Sequence, residues 1–147
     1  MTRARIAGVF YAVTFSTGAL ALFAGGSLGF AANLIAATSY VVVTVLFYSL
    51  FKPVNRRLSL VAAFVSLGGC AMGALSLFNL APFRIHPLVF FGFYCLLIGY
   101  LILRSTFLPR TLGALMAFGG IGWLTFLSGP LASDLSPYNM FPGILGE

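Results

Sequence analysis

Nineteen consecutive residues, Ile6–Ala24, carry no charge, and similar runs follow at Asn33–Phe51, Leu58–Ala81, Leu88–Leu103 and Thr111–Ser128. A helix rises about 1.5 Å per residue, so nineteen residues reach about 28 Å, close to the ~30 Å hydrocarbon thickness of a bilayer. Lipid offers the backbone no hydrogen-bond partners, so only helices and closed barrels cross it. Barrel strands alternate every second residue, whereas these runs are apolar on all sides. The expected fold class is all-α: a transmembrane helical bundle of about five spanning helices. A single integral membrane domain is expected over residues 1–147, with residues 129–147 as an interfacial tail.

Only 7% of residues are charged, against about 25% in a soluble domain, so no water-facing shell is available. The cations are also sorted. Arg3, Arg5, Lys52, Arg56, Arg57, Arg104 and Arg110 fall in gaps on the amino-terminal side of the proposed membrane. Arg84 alone falls opposite, with both acids, Asp134 and Glu147. By the positive-inside rule this predicts a multi-pass inner-membrane protein with a cytoplasmic amino terminus, its seven cations anchored among headgroups. Membrane lipids, not nucleic acid, are the partners such short basic gaps imply. The first apolar run exceeds the 7–15 residues of a signal-peptide core, so it is expected to remain as a span. Glycines 25, 26 and 29 with Ser27 predict a loop before the second span. Three prolines, Pro130, Pro137 and Pro142, argue against regular helix in the tail.

Small residues recur at helical spacing. Gly69 and Gly73 form a GxxxG element, the kind that lets membrane helices approach closely. Gly8, Ala12 and Ser16, then Gly92 and Gly99, then Gly113, Ala117 and Gly120, form comparable stripes. They serve either packing within one bundle or association with a second copy through the third helix. Cys70 and Cys95 lie near mid-span, as apolar fillers or as a thiol pair across one hairpin.

Chemistry-bearing patterns are sparse. No span core holds an ionisable group of the sort that marks ion and proton routes. Thr14, Ser16, Thr17, Thr44, Ser66, Ser76, Asn79 and Tyr94 are the mild polar groups, and hydroxyls bond back to their own helix. His86 is the sole histidine, and one imidazole does not make a metal site. No nucleophile elbow, metalloprotease pair or phosphate loop occurs, so no catalytic, cofactor or metal residue is assigned. Asn79, Arg84 and His86 form an outer-face polar cluster suited to a headgroup or small anion.

Three stretches carry a family resemblance: Arg5-Ile6-Ala7-Gly8 with Tyr11, the turn Leu50–Arg56 with Leu58, and Phe90–Gly113 with its FLPRTLG turn. The chain resembles the domain-of-unknown-function 4386 family of bacterial multi-spanning membrane proteins. The resemblance implies membrane residence and no defined activity. It further implies a shortened member, because relatives continue past a stretch like Pro142–Glu147 into another apolar helix. The Gly25–Asn33 loop is shorter than the family's, and Tyr94 stands near a position where members often carry histidine.

The leading expectation is a non-enzymatic accessory component acting through helix packing with itself or a partner membrane protein. A channel or carrier for a small neutral solute is the alternative. A membrane-embedded enzyme or redox-cofactor binder ranks third.

Overall fold

The computed structural model describes residues 2–78, 80, 86–136 and 138–146. Its order is α1 (Thr2–Phe23), α2 (Gly26–Phe51), α3 (Arg56–Leu77), α4 (Leu88–Arg104), α5 (Arg110–Leu124), a 3-10 turn at Thr125–Leu127, α6 (Gly129–Asp134) and α7 (Met140–Gly146). Among the described residues there is no strand, and the fold is an all-α helical bundle.

Consecutive helices pack as antiparallel neighbours: α1 on α2, α2 on α3, α3 on α4 and α4 on α5, with α7 folded back on α5. Three helical stretches are long and apolar enough to cross a membrane: Gly26–Phe51, Arg56–Leu77 and Arg110–Leu127. Arg5–Ala21 and Leu88–Arg104 are apolar but shorter. The seventeen residues of α4 reach about 26 Å, at the lower limit for a span. Only 28–33% of the three long spans is buried within the molecule, so most of their apolar surface faces outward.

The core is aromatic at its centre. Tyr40 on α2 meets Phe91 edge-on at 4.7 Å and Tyr94 at 5.7 Å, both on α4. Each such pair contributes about 0.5–1.5 kcal/mol beyond its buried area. Tyr11 of α1 stacks on Phe47 and reaches across to Met116 of α5. Between α2 and α3, the buried hydroxyls of Thr44 and Ser66 share a 2.6 Å hydrogen bond. One turn from the helix ends, Ser59 Oγ donates to the Tyr48 carbonyl at 3.1 Å.

Three expectations are corrected. The glycine-rich segment is not a loop, because α2 already begins at Gly26, leaving only Ala24 and Gly25 outside helix. Gly26 takes φ +64°, which turns the chain in one step, and Gly29 lies so close to the Ala24 carbonyl that no Cβ fits. The tail is not wholly irregular either: it holds two short helices, and Pro137 lies outside the described residues. Pro130 stands in the first turn of α6 and Pro142 in that of α7, where a missing N–H removes no helical bond. The buried Asn139 side chain then donates to Thr125 Oγ1 and the Ala132 carbonyl, both at 3.3 Å. The third span ends as helix at Leu77, short of Ala81.

Candidate functional site

The antiparallel order brings most of the cations to one end. The start of α1, the α2–α3 turn, the end of α4 and the start of α5 carry Arg5, Lys52, Arg56, Arg57, Arg104 and Arg110. Arg3 lies in the first turn of α1. Among the described residues the only carboxylate side chain is Asp134, in α6 beyond the opposite end of α5. Fifteen residues of α5 span about 22 Å, more than twice the ~8 Å screening length at physiological salt, so Asp134 does not neutralise this end.

Within that end lies a cleft of about 230 Å³, lined by Val54, Asn55, Tyr100, Leu101 and Arg104. Local sequence explains its shape. Asn55 stops the turn and caps α3, its Oδ1 accepting from the Leu58 N–H at 3.1 Å. Tyr100 and Arg104 sit four residues apart on one face of α4, placing the guanidinium 5.4 Å from the centre of the phenol ring. Arg104 also stands in the last turn of its helix, where a cation complements the dipole. The sequence marked Arg104 as an anchor but left Asn55 and Tyr100 unassigned. The two basic, proline-bearing turns were the available signal that these hairpin ends meet.

The small residues divide sharply. A Cβ on Gly99 would stand 2.7 Å from the Gly113 carbonyl oxygen and 3.0 Å from the Ala117 nitrogen. One on Gly120 would stand 2.8 Å from the Gly92 carbonyl oxygen. Gly92, Gly99, Gly113, Ala117 and Gly120 thus form one backbone-to-backbone seam between α4 and α5. Gly69 packs on Phe90 and Phe91 of α4, whereas a Cβ at Gly73 meets nothing within 4 Å. Gly8 is equally open, and Ala12 and Ser16 beside it are exposed.

Of the outer polar cluster, Asn79 and Arg84 lie outside the described residues. His86 rests on Phe126 at 5.0 Å, and its Nδ1 accepts weakly from the Leu88 N–H at 3.4 Å. Partial burial there lowers its pKa from the ordinary value. The hydroxyls mostly bond back, as the sequence predicts: Thr14 to Phe10, Thr17 to Val13 and Ser76 to Met72. Thr44 bonds both to Tyr40 and across to Ser66. Cys70 and Cys95 are thiols and do not form a disulfide with each other. Among the described residues, no three His, Cys, Asp or Glu side chains gather as a metal centre would require.

Long apolar helices with cations gathered at one end define a class, that of helical membrane proteins. The chain belongs to the family described as domain of unknown function (DUF4386), which it matches over residues 11–85 and 83–147. It is also similar to an uncharacterised protein of Archaeoglobus fulgidus, 28% identical over 95 residues. That alignment covers 57% of this chain and 56% of the relative. No solved structure matches the chain.

Proposed function

We propose that the chain is a five-span inner-membrane protein with a cytoplasmic amino terminus, acting as a non-enzymatic component through helix packing with a second copy or a partner membrane protein. The observation that carries this reading is the unfilled half of the GxxxG element. Gly69 is used against α4, while Gly73 on the same helix faces open space. Glycine weakens a helix by about 1 kcal/mol relative to alanine, and close approach by a neighbour is what offsets that cost. Gly8 with Ala12 and Ser16 offers a second open face. The end-sorting of cations supports the orientation.

Purification in mild detergent tests the association. A second copy or a stoichiometric membrane partner is expected to travel with the chain and to be lost with Gly73→Leu, whose Cβ meets nothing within 4 Å in the chain. A single chain at every concentration, in detergent and in bilayers, refutes it. So does flux of a small neutral solute into vesicles holding this protein alone. For orientation, a periplasm-dependent reporter should be silent after Asn55 and active after Glu147.

A further inference from the structure

We infer that the cleft between the α2–α3 turn and the end of α4 binds one phosphate group, as presented by an anionic lipid headgroup or a free phosphate. The lipid source rests on the bilayer placement proposed above, but the recognition chemistry does not. Arg104 supplies a planar fork of N–H donors suited to paired phosphate oxygens, and Tyr100 beneath it restricts the guanidinium. Asn55 commits its Oδ1 to the helix cap, so the remainder of that amide is an NH2 donor on the cleft wall. The start of the 22-residue α3 adds the positive end of a helix dipole. Val54 and Leu101 complete an apolar wall beside these donors, the mixture a headgroup with its glycerol would meet.

Charge points the same way. Lys52, Arg56, Arg57 and Arg110 surround this end, and no carboxylate among the described residues balances them there. Arg104, Asn55 and Tyr100 line a concave surface at this end, and concavity separates a site from diffuse attraction.

The test uses the full chain in a neutral maltoside detergent, with phosphatidylglycerol, phosphatidylcholine and inorganic phosphate as probes, read by native mass spectrometry and competition. One phosphatidylglycerol is expected per chain. Arg104→Gln should weaken it about tenfold or more, the loss of a charge-assisted hydrogen bond. Asn55→Asp should weaken it comparably, since aspartate keeps the cap but removes the NH2 donor and adds a negative charge. Arg104→Lys should fall between, keeping charge without the fork. Arg110→Gln, outside the cleft, should change it little. Displacement by inorganic phosphate supports the site with free phosphate as its ligand, and resistance to displacement supports the lipid. Equal weakening by Arg104→Gln and Arg110→Gln overturns the proposal, as does no preference for phosphatidylglycerol over phosphatidylcholine together with no phosphate binding. A reporter that places Asn55 outside the cell, with binding intact, would remove the orientation and leave the site standing.

Discussion

Replacing Gly99 and Gly73 by alanine, one at a time, separates the packed glycines from the open ones. Both lie within helices, so both gain the same intrinsic preference, up to about 1 kcal/mol. Within a single chain nothing opposes that gain at Gly73, so the comparison is made in dilute micelles that hold one chain each. At Gly99 the new Cβ stands 2.7 Å from the Gly113 carbonyl oxygen, where ordinary contact begins at 3.4 Å, so the helices must separate locally by 0.7 Å. A gap of that size forfeits about a quarter to a half of each contact's dispersion along the seam. Overpacking of this kind costs about 1–3 kcal/mol. Because the helix-propensity gain is common to both variants, the difference between them should equal that cost. Trp123, the chain's single tryptophan, lies on α5 and reports unfolding in mixed micelles. Gly73→Ala should unfold at equal or higher denaturant than the parent, and Gly99→Ala below Gly73→Ala by the stated margin. Adding Gly113→Ala to Gly99→Ala should cost less than the sum, since the first change has already opened the seam. Equal shifts for Gly99→Ala and Gly73→Ala would refute the seam.

Ser66→Ala should cost about 1 kcal/mol in the same assay, because Thr44 keeps its bond to the Tyr40 carbonyl but loses its partner on α3. Gly143→Val should release α7 from α5, since a Cβ there stands 2.5 Å from the Trp123 ring; a red shift of tryptophan emission checks this. The lowered pKa of His86 ties its docking on Phe126 to pH. Its folded value lies below the ordinary value of about 6.5, so an unfolded chain binds the proton first. The stability it contributes is present above about pH 6.5 and is lost as pH falls from there towards the folded value. His86→Phe should flatten that dependence in tryptophan emission, and a transition above pH 6.5 would contradict the assignment.

The apolar helices were legible because an uncharged run of helical length has few alternatives in lipid. The fifth, expected at Thr111–Ser128, coincides with α5 and the turn after it. What composition hid was position within the turn. Proline argues against a helix only past its first turn, and Pro130 and Pro142 both fall inside that allowance. The glycines at 25–29 read as a loop because their number suggested freedom, whereas one positive φ at Gly26 suffices to reverse the chain. The small-residue stripes were visible by spacing, but spacing does not say which face meets a neighbour. Gly69 is packed and Gly73, four residues on, is open. Asn55 and Tyr100 were not joined as a site because they are 45 positions apart and line one cleft only once α3 and α4 lie side by side.

The α4–α5 seam has a one-sided relation to mutation. At Gly92, Gly99, Gly113 and Gly120 the side chain is already the smallest the genetic code allows, and neighbouring backbone fills the space beyond. Every missense change at those four codons pushes the pair apart and none draws it closer. Leu96, Leu103 and Leu124 can turn aside, but the facing backbone oxygen within 3.0 Å of each added Cβ cannot, so inherited variation there should be read as loss.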